Sequence, residues 1–209
     1  MKTKHTLNIA CLLLIFVLGA SHTSIAQNKV ITLSKVPASP EEFIQMRNNL
    51  SRTPEGGAAM FIAALINLGK NEKLGMQCLT IGIDQSQVTK GNVYKGYKPG
   101  RGVMYHLNRL KRGGVRGNFW GYAAKAYLKG STHKNGYTPS KPYKVVTSRN
   151  KYSGSEAKGR VKVYIDVAIE GFRPRPISMK RNDKGIWKAI EFSSMFLDVP
   201  KPGKKTDDL

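Results

Sequence analysis

The chain has 209 residues, with 35 Lys and Arg against 13 Asp and Glu, a formal net charge of +22 and only two cysteines. That length suits one domain with a full hydrophobic core, and two cysteines exclude a densely disulfide-stapled scaffold. The charge excess attracts anions, so acidic partners are the class to weigh first.

Residues 1–26 follow a secretory plan: Lys2 and Lys4, an apolar run from Leu7 to Leu18, and Ser24-Ile25-Ala26 as a small-residue cleavage site before Gln27. The run is shorter than the about 20 residues a membrane-spanning helix takes. Cys11 lies inside it, the wrong place for a lipid-attachment site. A cleaved, soluble, exported protein, periplasmic or secreted, is expected, with residues 27–199 as a single α+β domain and 200–209 as a flexible polar tail. Cleavage would leave 183 residues, a net charge of +20 and Cys78 alone among cysteines. Cys78 sits in the apolar stretch LGMQCLTI with no basic neighbour, so a packed, unreactive thiol is expected.

The N-terminal third reads as helices. Ser39-Pro40-Glu41-Glu42 offers a cap, a proline at the first helical position and a glutamate placed for a capping box, and Phe43, Met46 and Leu50 follow at helical spacing. Thr53-Pro54-Glu55 repeats the start signal, Ala58, Phe61, Ile62, Leu65 and Ile66 form the apolar stripe, and Gly69 marks the end. A third helix is expected over about 72–82 and carries Leu74, Cys78 and Ile81. Residues 84–100 read as a polar loop. Val103, Met104, Leu107 and Leu110 predict a fourth helix, with Lys111 and Arg112 favourably placed at its C-terminal end and Gly113-Gly114 as the stop.

Beyond that point the apolar period falls from 3.6 to 2. Strands are expected over Trp120–Leu128, Tyr143–Ser148, Val161–Ile169, 175–181 and 186–192, the last two joined by a hairpin turn at Asn182-Asp183-Lys184-Gly185. The fold class is therefore α+β: N-terminal helices packed on a C-terminal, mainly antiparallel sheet, a meander ending in a β-hairpin. The closing hairpin with Trp187-Lys188 resembles the end of cone-shaped folds of the nuclear-transport-factor-2-like or cystatin-like kind, a likeness of shape that confers no function.

Four further stretches carry a family resemblance. They are Thr53-Pro54-Glu55-Gly56; Gly96-Tyr97-Lys98-Pro99-Gly100-Arg101; Asn135-Gly136-Tyr137 with Pro142-Tyr143; and Arg175-Pro176-Ile177 through Gly185-Ile186-Trp187-Lys188 to Glu191-Phe192-Ser193-Ser194. Together they resemble an uncharacterised family of exported bacterial proteins, catalogued as a domain of unknown function. That pattern has Pro-Glu where this chain has His133-Lys134, which removes an acid from that place. The resemblance implies export and supplies no activity.

Catalytic signatures find little support. His106 and His133 are the histidines left after cleavage and lack metal-ligand spacing, so no metal site and no cofactor are expected. Ser131/Lys134 and Ser155/Lys158 match Ser-x-x-Lys but lie in loops without its partner motifs. Asp166 and Glu170 would stand roughly 13 Å apart on one strand face, too far for a glycosidase pair, which takes about 5 to 9.5 Å. Gly91 and Gly96 have the gap of a phosphate loop, but Tyr97-Lys98 follows instead of Lys-Ser/Thr. No catalytic residue is assigned.

What remains is charge segregation. Residues 90–188 hold 24 cations and 4 acids, and residues 92–117 hold seven cations, three tyrosines and no acid. Cations beside aromatic rings suit phosphates, carboxylates, sugars and bases. Lys98, Arg101, Arg109, Arg112, Arg116, Arg173 and Arg175 are the candidate anion contacts, and Tyr97, Trp120, Tyr122 and Tyr137 the candidate stacking platforms. Export removes chromosomal nucleic acid as a partner. The expected function is a non-catalytic binding protein for an anionic polysaccharide, a lipopolysaccharide phosphate, an anionic membrane surface or another polyanion. One alternative is a small-molecule binder or enzyme using a pocket on the concave sheet face; another is a structural envelope component without a specific ligand. A pocket lined by titratable groups favours the small-molecule alternative, and an open cationic face favours the polyanion. The oligomeric state stays open.

Overall fold

The structure is a computed structural model that describes residues 28–112, 121–196 and 199–203. It opens with strand β1 (Lys29–Leu33), followed by helices α1 (Pro40–Leu50), α2 (Pro54–Lys70) and α3 (Glu72–Gly82). The short strands β2 (Val88–Tyr94) and β3 (Tyr97–Pro99) form a hairpin ahead of helix α4 (Arg101–Arg112). The main sheet then takes β4 (Tyr143–Ser148), β5 (Gly154–Ser155), β6 (Arg160–Ile165), β7 (Arg175–Arg181) and β8 (Trp187–Glu191). Its strand order is β1-β4-β6-β7-β8, with β5 pairing β6, and every paired strand is antiparallel. The α+β class read from the sequence is the one observed.

Helix starts follow their capping residues. The Ser39 and Thr53 side chains accept from the Glu42 and Gly56 amides, and Pro40 and Pro54 occupy positions where no amide hydrogen is required. The Glu42 carboxylate accepts from the Ala38 amide, one residue before the box geometry expected of it. Helix α2 is buried continuously from Pro54 to Leu68 and contacts α1, α3 and the sheet, so it is the central element of the core. Gly57 permits this: a Cβ there would stand 2.7 Å from the Trp187 carbonyl oxygen on β8. At the start of α2, the buried Glu55 accepts from Arg149 at 2.7 Å and pairs with Lys29 at 3.5 Å, pinning β1 and the β4–β5 connection to the helix. Cys78 is fully buried against Asn67, whose Nδ2 lies 3.6 Å from its Sγ, and burial raises the thiol to about 11.

Four expectations need correction. The strand expected over Trp120–Leu128 is, in its described part, a 3-10 turn over Ala123–Tyr127. Its buried residues, Ala123 and Ala124 before the partly exposed Lys125 and Ala126, Tyr127 and Leu128 after it, include adjacent pairs, so burial does not alternate along this segment. The sheet positions on either side of β4 are taken by β1 and β6, and β1 itself was not anticipated. Residues 84–100 hold the β2–β3 hairpin, which turns at Lys95 (φ 45°) and Gly96 (φ 83°); Lys-Gly adopts the two positive-φ positions usually signalled by Asn-Gly. The strand expected to reach Ile169 ends at Ile165, where Asp166 turns to cap the Val167 amide. Asp166 and Glu170 therefore do not share a strand face.

The other strands match closely. In the β7–β8 turn, Asn182 Oδ1 accepts from the Lys184 and Ile186 amides and Gly185 has φ 73°. At the C-terminal end, the Pro200 carbonyl accepts from Tyr137 and the Gly203 amide donates to the His133 carbonyl. Residues 204–209 lie outside the described residues.

Candidate functional site

Four elements meet around a cleft of about 520 Å³: α1 with Ile44 and Arg47, the end of α3 with Ile81 and Ile83, the β2–β3 hairpin, and the β7–β8 turn with Lys184 and Lys188. The hairpin contributes Val88, Tyr94, Lys95 and Tyr97. Arg47, Lys184 and Lys188 also line an adjoining polar cleft of about 390 Å³ with Asn48, Arg52 and Asn182, so these three cations form the seam between an apolar and a polar compartment.

The geometry of the seam follows from strand alternation. Trp187 and Ala189 are buried, so Lys188 between them points to the opposite side of β8. Register places it directly across from Lys180 on β7. Two lysines facing each other on one sheet surface repel. The mostly buried Asp84 stands beside them, fixed by its backbone N–H, which donates to the Ala189 carbonyl, and by Ile83, which bridges to Ala189. Asp84 accepts from Lys180 at 3.3 Å and from the Ser86 amide and hydroxyl at 3.1 and 2.8 Å. Burial pushes its carboxyl up, but the Ser86 and Lys180 hydrogen bonds outweigh that and hold it below the ordinary value. One carboxylate thus serves two lysines and is already committed to the first.

Lys188 shows the consequence. Burial lowers its pKa from the ordinary value, nearby Arg47 lowers it further, and Asp84 opposes both. Burial also lowers Arg47, whose guanidinium donates to Asn48 Oδ1 at 2.9 and 3.3 Å. Arg52 braces the same corner by donating to the Lys184 and Asn48 carbonyls at 2.8 and 3.1 Å. Arg47 and Lys188 are half-buried, Lys95 and Lys184 exposed, and among the described residues no acid lines either compartment. Such an arrangement stabilises an anion by charge and directed hydrogen bonds together.

The residues picked out from the sequence are dispersed. Tyr97, 46 % exposed, lines the cleft. Lys98 lies exposed on β3 with its chain packed across Gly91. Arg101 and Arg109 are exposed on α4 and flank Tyr105, which is 62 % exposed. Arg173 is exposed in the connection before β7. Arg175 is buried, donates to the Tyr127 hydroxyl and the Ser194 carbonyl, and faces the Phe172 ring, which makes it an internal brace. Tyr122 stacks on Tyr137 at 5.6 Å and 10°, and Tyr137 is fully buried with its hydroxyl donating to the Pro200 carbonyl. Tyr137 is therefore part of the core and offers no open stacking face. The Arg112 side chain, Arg116 and Trp120 lie outside the described residues. His106 stacks on Phe196 and His133 packs edge-on to Tyr137.

Sequence reasoning missed Arg47, Arg52, Lys184 and Lys188. Two of them come from residues 27–89, where 6 cations balance 5 acids and no local excess draws attention. The available signal was a lysine at alternating strand positions on both arms of the last hairpin.

No curated protein and no solved structure matches the chain. A family model does match, over residues 35–203, from just before α1 to the last described residue; the chain belongs to that family, the domain of unknown function DUF6935.

Proposed function

We propose that this is an exported, non-catalytic binding protein for an anionic ligand, and that the ligand is a small molecule held in the cleft between α1 and the β2–β3 and β7–β8 hairpins. The observation that carries the reading is the Lys180–Lys188 cross-strand pair beside half-buried Arg47, served by the single carboxylate of Asp84. Excess positive charge held partly out of water is costly unless an anion joins it. The cleft volume lies in the range of small-ligand sites. Export rests on the sequence plan of residues 1–26, and sequencing the N-terminus of the protein from its native host tests it. A start at Gln27 supports export; an intact Met1 in the cytosol refutes it.

A second reading has its own observation. Arg101, Tyr105 and Arg109 recur at four-residue spacing on the exposed side of α4, a face suited to a long polyanion such as an acidic polysaccharide or lipopolysaccharide. Titration with pyrophosphate and with heparin separates the two. In the first reading, Lys188→Glu abolishes pyrophosphate binding and the pair Arg101→Glu/Arg109→Glu leaves it unchanged. Heparin affinity that falls only with the α4 pair supports the second. Equal losses from both variants would leave net charge as the whole cause, since each neutralised anion releases counterions wherever the cation sits.

A further inference from the structure

We infer that the ligand is a single-headed amphiphile: an oxyanion, phosphate or carboxylate, attached to an alkyl or aryl body. The inference rests on the reading of the cleft as an anion site and adds what the other half of the cleft recognises.

The two compartments have different chemistry. On the polar side, Arg47, Lys184 and Lys188 stand with Asn48, Arg52 and Asn182. On the other side of the same three cations, most of the wall is apolar, with Ile44, Ile83 and Val88 beside the rings of Tyr94 and Tyr97, broken by Thr80 and Gln85. Ile44 and Val88 are only partly covered by the core they pack against, so they present apolar surface to the cleft. Inorganic phosphate would satisfy the cations and leave that wall wet. A nucleic acid or acidic polysaccharide would bring charge to the wall as well as to the seam. A molecule with one charged end and one apolar end matches both sides, because the charged end fixes orientation while the body gains by leaving water. The tyrosines widen the choice of body to flat rings, which stack on them.

The hairpin supports this division. Its turn at Lys95-Gly96 carries Lys95 over the Tyr94 ring at 5.6 Å, so the hairpin side of the cleft bears one more cation, exposed to water. Anionic heads are therefore attracted from either side, and the seam, with three cations instead of one and two of them partly buried, is where the head settles.

The test is an affinity series by calorimetry on the mature chain, using inorganic phosphate and n-butyl, n-hexyl and n-octyl phosphate below their micellar concentrations, with octanoate as a carboxylate arm. The expected result is a gain of about fourfold per added methylene until the cleft is filled, with Lys188→Glu weakening every member. Ile44→Ser, and independently Val88→Ser in case the first variant folds poorly, flattens the gradient, lowering octyl phosphate affinity more than inorganic phosphate affinity. Octanoate binding as well as octyl phosphate assigns the site to oxyanions in general, and preference for the phosphate narrows the head to that group; both support the inference. A Lys188-dependent series with no dependence on chain length overturns the amphiphile and keeps the anion site. A series in which nothing depends on Lys188 overturns both.

Discussion

Helix α4 and the seam beside α1 both carry cations, and they differ in what surrounds the charge. Arg101 and Arg109 are exposed, where water screens them and each costs the fold little. Arg47 and Lys188 are partly buried, close enough for Arg47 to disfavour the charge on Lys188, with one carboxylate already committed to Lys180. The first region has more charge per residue of sequence; the second has more unmet demand for an anion. Charge density along a chain and electrostatic potential in a site are separate properties, and only the second converges on a ligand.

Ligand affinity separates the two regions most sharply. Lys188→Glu is expected to lower octyl phosphate affinity about 100-fold, the order of a lost charge-assisted hydrogen bond plus the introduced repulsion. Arg109→Glu should stay within about twofold, because an exposed charge is screened. Calorimetric titration of both variants reads the difference, and equal losses would erase the distinction between the regions.

Burial acts with the opposite sign on a group that is neutral when protonated, and Cys78 supplies that contrast. Its thiol rises from 9.0 to about 11 in the folded state. The unfolded chain then ionises first, so stability from this group is full below pH 9.0 and is lost as pH climbs towards 11. A loss of about 1 to 2 kcal/mol across that window is expected from urea unfolding, and Cys78→Ala should remove that part of the slope. A thiol that reacts with a labelling reagent in the native protein as fast as in denaturant would contradict the burial itself.

A smaller effect concerns the empty cleft. Removing one of two opposed lysines should stabilise the free protein, so Lys188→Met is expected to raise stability by about 0.5 to 1 kcal/mol, or about 2 to 3 °C in Tm. Arg109→Met should fall within about 0.5 kcal/mol of zero. Lys188→Met would also lose anion affinity, so stability and binding would move in opposite directions at the seam and not on α4.

The smallest effect is in pH. The folded-state pKa of Lys188 lies below its ordinary value. Through the window below 10.5 the unfolded chain therefore holds more protons than the folded one, and this group's contribution to stability rises with pH. Anion affinity should fall over the same window as the ammonium is lost, whereas binding through guanidinium groups alone would stay level. Comparing native protein with Lys188→Met isolates the slope from that of Cys78.

Much of the fold was legible because local chemistry and tertiary structure agree. Ser39-Pro40 and Thr53-Pro54 announce helices that begin there, and Asn182 to Gly185 announces the turn that forms. The failures have a common cause. Trp120–Leu128 alternates on paper, yet where described its backbone follows the demands of α2 and a sheet whose places are filled. Lys95-Gly96 turns a hairpin without the residue that advertises one. The site was less legible than the fold because it depends on residues far apart in sequence. Arg47 and Lys188 are brought together by the docking of α1 and β8 around α2, which no local window contains.

Strand β1 has a consequence for how the molecule forms. Its partner is β4, with Lys29 opposite Thr147 and Leu33 opposite Tyr143, so the first strand of the chain waits for a segment more than a hundred residues later. Helices α1 to α3 close on local contacts and can assemble early, while the β1–β4 ladder is among the most non-local pairings in the fold and is expected to close late. Until it does, the alternating KVITL segment is an unpaired strand, and Val30 remains 49 % exposed even after pairing. Lys29 is the counterweight: it places a charge on that edge throughout synthesis and ends paired with Glu55. Neutralising it should slow folding less than it raises aggregation during refolding, a liability set by the order in which the chain is made.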